Sequence, residues 1–336
     1  MKKMWLYGLI ILIAIPGMIF SQKYKIKFAS LAPEGSTWLN VMKEYDQAVR
    51  EESGGQLGFK IYSGGVLGDD KTVLRKIRLG QLHSAGFTGV GLGEILPEVR
   101  ILDSPFLFRS YDEVDFIINK FYDKFSRAFE EKDYILLGWA EVGFVYVFSQ
   151  KPIQTKADMD GVKMWMWEGD PVAEATFEAL GIAATPLSVI EVMTALQTGM
   201  IDAVYNSPLA AIAMQWFTKA KYMMEMPLAD ASGAVVISKK TFDELPPDFQ
   251  QILLKNGKVY FNKLIKLSRQ DNATAIETLK QNGIKITPAP PMSAQKKFEE
   301  DGKMARRLLI GKLYSQELLT EVENALVEYR KSKVGR

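Results

Sequence analysis

The pattern of apolar and polar residues predicts alternating strands and helices in the first third of the chain. Residues 25–28 alternate polar and apolar, which is typical of a strand. Ser36 can then cap a helix whose apolar residues share one face, namely Leu39, Met42, Tyr45 and Val49. The stretch LGFKIYSGG predicts a second strand, and DDKTVLRKIRLGQL predicts a short amphipathic helix. This β-α-β-α order favours an α/β sheet.

Two capping boxes predict further helices in the middle of the chain. Ser110 and Glu113 have the spacing of one box, and Ser188 and Glu191 have the spacing of the other. Between them, ILLGWAEVGFVYVFS predicts a long strand or a pair of strands. After the second box, MIDAVYNSP predicts a strand that leaves the sheet at Asn206, and KYMMEMPLADASGAVVIS predicts two more strands.

One predicted helix is too long for a single domain. The pattern is helical without a break from Pro247 to about Gln281. At ~1.5 Å per residue this helix is about 50 Å long, so we expect it to run along two domains. The chain has 336 residues, which is enough for two domains of ordinary size.

Composition narrows the functional classes. Hydrophobic residues make up 47% of the chain and charged residues 24%, as in a globular protein, and the formal net charge of +2 gives no reason to expect nucleic acid as a partner. The chain has no cysteine, which excludes disulfides and thiolate metal sites. His83 is the only histidine, so a histidine-rich metal site is impossible, and we interpret this residue as structural or solvated.

The N-terminus has the features of a targeting segment. Lys2 and Lys3 precede an apolar run from Met4 to Ile15. This order is typical of a secretory signal peptide, although no A-x-A cleavage pattern follows. We expect a signal peptide over residues 1–22, with retention as an N-terminal membrane anchor as the alternative.

The stretch GVKMWMWEGDP, residues 161–171, raises the question of what two tryptophans do in a short strand. Because successive side chains of a strand point to opposite faces, Trp165 and Trp167 share one face, and Met164 and Met166 share the other. Either both faces are buried in the core, or the tryptophan face lines a cavity. The pattern alone leaves both interpretations open.

Two other stretches could carry chemistry, and each has a structural interpretation. GFTGVGLGE, residues 86–94, lacks the lysine of a phosphate-binding P-loop, so we interpret it as a loop needing positive φ or, alternatively, as the wall of a ligand cleft. Asp69 and Asp70 lie where they would favour the N-terminus of the following helix, which makes capping a better interpretation than catalysis.

Four segments resemble, in order and spacing, the substrate-binding proteins of TRAP transporters, the DctP family. They are SGGVLGDDKTVLRKIRLGQL, DMDGVKMW, PLSVIEVMTALQTGMIDAVYNSPLAA and ISKKTFDELP. The resemblance implies an α/β, two-lobe periplasmic binding protein of type II-like architecture, in which a long helix spans both lobes. It implies lobe I over 24–147 and 234–281, and lobe II over 148–233 and 282–330. It also implies a periplasmic protein without catalytic activity or cofactor that delivers a solute to membrane permease subunits.

The departures from the family pattern concern the site. The resemblance places Trp165 where the family has the arginine that binds the substrate carboxylate, and Val145 where some members have a second arginine. Family polar positions fall at Leu31 and at Thr88, which follows Phe87. Asn206 is retained. The ligand-binding residues implied are therefore Leu31, Phe87, Thr88, Val145, Trp165, Trp167 and Asn206, with no metal ligand among them.

These departures favour a hydrophobic or amphipathic, lipid-like ligand, because burying a carboxylate against apolar side chains is costly. Two alternatives stay open. A polar organic acid could be held by other groups, such as Lys163, Glu168 and Asn206, or the protein could be a secreted hydrolase that uses an acidic pair.

Overall fold

The computed structural model describes residues 23–334, and the predicted signal peptide over residues 1–22 lies outside them. The strands are β1 (Tyr24–Ser30), β2 (Leu57–Tyr62), β3 (Ser84–Thr88), β4 (Tyr134–Ser149), β5 (Met164–Trp167), β6 (Ala184–Leu187), β7 (Ala203–Asn206), β8 (Tyr222–Met224), β9 (Ala229–Ser238) and β10 (Lys285–Thr287). The helices are α1 (Thr37–Glu52), α2 (Asp70–Arg78), α3 (Gly89–Gly93), α4 (Tyr111–Glu131), α5 (Pro171–Leu180), α6 (Val192–Thr198), α7 (Pro208–Ala213), α8 (Lys239–Asp243), α9 (Pro247–Gln281), α10 (Met292–Leu308) and α11 (Gln316–Val334). Across these residues, no helix is both long and apolar enough to cross a membrane.

The strands form two sheet regions that share β4. Hydrogen bonds link the strands in the order β2-β1-β3-β9-β4-β7-β5-β6, and β8 pairs with β4 and β10. β4 pairs with β9 from Tyr134 to Val145, and then with β7 from Tyr146 to Ser149. We call β2, β1, β3, β9 and the first part of β4 the first sheet, and the remaining strands with the end of β4 the second sheet. The predicted α/β class is confirmed, with parallel pairs at both ends of the strand order.

Local sequence explains where several helices begin. The Ser36 side chain accepts a hydrogen bond from the Leu39 backbone N–H at the start of α1, and Ser110 accepts one from Glu113 N–H at the start of α4. Both groups would otherwise lack a partner in the first helical turn. The capping box of Ser188 and Glu191 also forms, but it opens a 3₁₀ turn that leads into α6.

The long helix α9 has 35 residues and packs against elements of both sheets, as the sequence predicts. It contacts α1 and β4 along the first sheet and α7 beside the second. The buried Asn272 side chain joins these regions, because its Nδ2 donates to Val142 O in β4 and its Oδ1 accepts from Leu209 N in α7.

The lobe boundaries 24–147, 148–233, 234–281 and 282–330 stay a proposal. β9 pairs with β4 from Ala229 and with β3 from Gly233, so it joins the first sheet five residues before the proposed lobe I return at residue 234. α10 packs against α5 beside the second sheet. By contrast, α11 packs on α4 of the first sheet, where Tyr329 stacks on Phe116 and Arg330 pairs with Glu113, although 282–330 was expected in lobe II.

The glycine-rich stretch 86–94 is not a loop that needs positive φ, so that prediction is wrong. Its residues Gly89–Gly93 form the helix α3, and its glycines have ordinary negative φ. They are needed for space, because a Cβ at Gly89 would lie 1.8 Å from Asp103 Oδ2. Gly86 and Gly89 also line the cavity described below, as the alternative interpretation expected.

Candidate ligand-binding site

A cavity of about 220 Å³ lies between the two sheets and is lined by residues from both. From the first sheet and its connections come the end of β1, the start of α1, and parts of β3 and β9. β5, α5, β7 and α7 supply the opposite side. All seven residues that the sequence analysis singled out line this one cavity: Leu31, Phe87, Thr88, Val145, Trp165, Trp167 and Asn206. Their contact with a ligand remains a prediction.

Trp165 belongs to the core and also lines the cavity, so the two interpretations of residues 161–171 are not exclusive. Its side chain is only 1% exposed, and its Nε1 donates to Leu187 O at 3.0 Å. The indole stacks on the Tyr205 ring with centroids 4.8 Å apart, and Trp216 meets it edge-on at 5.3 Å. The Trp167 ring lies 6.0 Å away on the same side, as the strand alternation predicts. These rings leave Trp165 little freedom to move.

The hydrogen-bond donors of Thr88 are already used by Asp70, so they are not free to bind a ligand. Its hydroxyl donates to Asp70 Oδ2 at 2.6 Å, and its backbone N–H donates to the same oxygen. Burial raises the pKa of the Asp70 carboxyl to about 6, against the opposing effect of these hydrogen bonds. Asp69 caps α2 through Thr72 N–H, so the acidic pair has structural roles, as expected.

Arg100 lines the cavity, but two carboxylates already bind its guanidinium. Its Nε donates to Asp103 Oδ2 at 2.7 Å, and its Nη1 lies 2.8 Å from Asp170 Oδ1. Burial lowers the pKa of Arg100, but attraction to Asp170 and Asp103 outweighs this effect and the pKa is raised. The group has one positive and two negative charges, so it opposes rather than attracts a ligand carboxylate.

The lining contains no basic side chain other than Arg100 within the described part of the chain. Lys163, proposed as a contact for an acidic ligand, lies outside the lining, and its Nζ donates to Gly199 O at 2.9 Å. Glu168 is also outside it. Asn206 accepts a hydrogen bond from Ser207 N–H through Oδ1, which leaves its amide nitrogen without a partner among residues 23–334.

Several cavity residues were missed by the sequence analysis. Tyr205, beside Asn206 in the strand, is the neighbour on which Trp165 stacks, and strand position alone could have suggested it. Arg100, Asp170, Asp230 and Ser268 come from four separate segments, and no spacing in the sequence connects them. Within residues 23–334, no group of acidic side chains and His83 has the arrangement of a metal site.

Two α/β sheets that share a strand, with a long helix along both and a cavity between them, have the architecture of two-lobe solute-binding proteins. The chain belongs to the bacterial extracellular solute-binding protein family 7 (DctP), whose family model matches residues 28–307. It is a periplasmic solute-binding protein of the TRAP type, and such proteins work with membrane permease subunits.

Relatives span most of the chain. The 2,3-diketo-L-gulonate-binding periplasmic protein YiaO of Escherichia coli is 27% identical over 246 residues, which cover 73% of this chain and 75% of YiaO. A TRAP periplasmic solute-binding protein from Ochrobactrum anthropi, solved with its C-terminus in the ligand pocket, is 26% identical with a TM-score of 0.80, covering 93% of this chain and 97% of that one. The sugar acid binding protein DctPAm from Advenella mimigardefordensis, in complex with galactonate, shares the fold at 22% identity, with a TM-score of 0.85 and coverage of 91% and 99%.

Proposed function

We propose that this protein captures a small molecule with a largely apolar body in the aromatic cavity and delivers it to a TRAP-type permease. The observation that supports this ligand class is the state of the cavity's charged groups. Arg100 is already bound by Asp103 and Asp170. Trp165 lines the same cavity, and the family resemblance places it where other members have the carboxylate-binding arginine. Burying a ligand carboxylate here without a counterion costs several kcal/mol.

The aromatic and aliphatic walls suit an apolar body. Burying ~300 Å² of apolar ligand surface contributes roughly 7 kcal/mol before the costs of association. The rings of Trp165 and Trp167 lie on one side of the cavity, and Phe87 and Val145 also line it. A ligand that places its apolar part between them needs no basic group on the protein.

A polar organic acid is the second candidate, and the comparisons favour it. YiaO is named for binding 2,3-diketo-L-gulonate, and DctPAm was solved with galactonate. In this chain such a ligand would have to rely on the Asn206 amide, backbone groups and stacking on tryptophan. The hydrolase alternative has no such support, because Asp69 and Asp70 serve in capping and in binding Thr88.

Simple organic acids are expected to bind no better than millimolar, because the family resemblance places Trp165 and Val145 where arginines are expected. Calorimetry with D-galactonate, malate and sialic acid measures this directly. In parallel, the mature protein is incubated with a lipid extract of the cell envelope, and native mass spectrometry identifies what it retains. Micromolar binding of D-galactonate, with no apolar compound retained, would reject the apolar proposal and leave the organic-acid candidate.

Asn206→Ala is expected to weaken retention of the molecule found in this way by roughly two- to tenfold, the size of one lost neutral hydrogen bond. The reason is the free amide nitrogen of Asn206 at the cavity wall. Titration by native mass spectrometry measures the change. Asn40→Ala is the control, because Asn40 is exposed and its side chain bonds only Gly35 O. Equal affinity of Asn206→Ala and wild type contradicts a ligand contact at Asn206.

A further inference from the structure

Asp230 on β9 is a buried carboxyl group that lines the cavity without a partner. The residue is 1% exposed, and its Oδ1 makes no hydrogen bond within residues 23–334. A buried carboxyl oxygen normally has at least one partner, because leaving it unpaired costs free energy. Its neighbour Asp103 shows the usual arrangement, since one of its oxygens binds Arg100 and the other accepts from Ser232 N–H.

Ser268 on α9 is a second unpartnered group on the same cavity. It is 1% exposed, and its Oγ has no hydrogen-bond partner in the described part of the chain, although serine hydroxyls in helices commonly bond the carbonyl four residues earlier. Two independent side chains, one from a strand and one from a helix, therefore hold unused hydrogen-bonding capacity at the cavity.

The charged groups near Asp230 include more carboxylates than arginines. Arg100 is bound by Asp103 and Asp170. Arg269 is bound in the same way by Glu141 and Asp115, with its Nη2 2.6 Å from Glu141 Oε2. Each arginine thus has two carboxylates, and Asp230 is a fifth acidic group with no arginine of its own.

We propose that Asp230 and Ser268 form a subsite for a positively charged nitrogen, so that the solute is an amphipathic amine. A primary ammonium has three N–H donors and no acceptor, which matches a carboxylate and a hydroxyl oxygen that both accept. Its charge would balance the excess of carboxylates. This inference rests on the proposed function, because the aromatic walls must hold the apolar body of the same molecule.

The aromatic walls are compatible with a cation as well as with an apolar chain. Trp165, Trp167 and Tyr205 line the cavity, and aromatic rings attract a cation that lies over the face of the ring. A carboxylate in the same place would meet these faces and the acidic groups together. An amine and an acid of equal chain length should therefore differ strongly in affinity.

The test compares four probes by calorimetry: octylammonium, 1-octanol, octanoate and D-glucuronate. We expect octylammonium to bind about 10- to 100-fold tighter than 1-octanol, the factor that a charge-assisted hydrogen bond supplies. Asp230→Asn keeps the size of the side chain and removes its charge, so it should abolish the preference for octylammonium over 1-octanol. Thermal melts verify that the variant is folded.

Two serines provide the matched comparison for the hydroxyl. Ser268 and Ser232 are each 1% exposed with an unpartnered Oγ, but only Ser268 lines the cavity. Ser268→Ala should weaken octylammonium binding, whereas Ser232→Ala should leave it unchanged. An equal effect of both substitutions would overturn the role of Ser268.

The pH profile separates a charged from a neutral contact. Burial raises the pKa of Asp230 well above its ordinary value, and repulsion from Glu141 and Asp103 adds to this effect. Asp115 on α4 acts in the same direction, Arg269 opposes it, and Tyr111 is the other titratable neighbour. An ammonium needs the ionised carboxylate, so octylammonium affinity should rise with pH in wild type and stay flat in Asp230→Asn.

The remaining outcomes distinguish the two proposals. If 1-octanol binds as tightly as octylammonium, the apolar cavity stands and the cation subsite is wrong. If D-glucuronate binds tighter than every octyl probe, the proposed ligand class is wrong, and the cation subsite fails with it. If no octyl probe binds, both proposals are rejected.

Discussion

Replacing Trp165 with arginine is expected to change the ligand preference of the cavity from apolar compounds to carboxylates. A guanidinium at this position would lie among apolar rings, where an unpaired charge is costly. An anionic ligand relieves that cost, so affinity for D-galactonate should rise about 10- to 100-fold, the size of a charge-assisted hydrogen bond. Affinity for the native apolar ligand should fall, because a large aromatic contact is lost.

The same substitution is also expected to lower the free energy of unfolding, by about 3–5 kcal/mol, because Trp165 is 1% exposed and packs against Tyr205 and Trp216. Trp216→Arg is the matched control, since Trp216 is equally buried in the same cluster but does not line the cavity. It should lose stability without gaining carboxylate affinity. Calorimetry and thermal melts with and without D-galactonate measure both effects. A Trp165 variant that is destabilised but has unchanged ligand preference would reject its role in binding.

Arg100→Met is expected to cost about 3–5 kcal/mol of unfolding free energy, because it leaves Asp103 and Asp170 buried without their counterion. Burial already raises the pKa of Asp103, so this carboxyl takes up a proton more easily once the guanidinium is gone. The loss of stability should therefore be largest at neutral pH and smaller in acid. Urea unfolding at two pH values measures it.

Arg109→Met is the control for this prediction. Arg109 also pairs with a carboxylate, Glu299, but its side chain is 60% exposed, and exposed ion pairs contribute little to stability. Its unfolding curve should match that of wild type. Equal losses in Arg100→Met and Arg109→Met would mean that the buried ion group does not hold the structure together.

The parts of the fold predicted from sequence depend on neighbours along the chain. Ser36 and Ser110 cap helices by accepting hydrogen bonds from residues three positions away. The helical pattern from Pro247 to Gln281 likewise depends only on residues that are close in the sequence. The prediction for the glycine-rich stretch was wrong because its glycines are required by side chains that are distant in the sequence. An example is Asp103, which packs against Gly89. A sequence pattern shows that small residues are present but does not show what approaches them.

The candidate site also has a part that could be predicted from the sequence and a part that could not. Most of the seven predicted lining residues were found through resemblance to a family, which supplies positions that a single sequence does not, and Trp167 also follows from strand alternation. The contact of Arg100 with Asp170 joins residues 70 positions apart, and only the fold brings Asp230 and Ser268 to the same cavity. Their lack of partners is a property of the assembled cavity, so no reading of isolated segments could find it.

Asn272 has a mechanical consequence for how solute enters and leaves. Its amide fixes one point of α9 to both β4 and α7, while about 37 Å of the helix extends from that point back to Pro247. The two hydrogen bonds diverge from a single amide group, so the distance between β4 and α7 cannot increase at this point without stretching or breaking one of them.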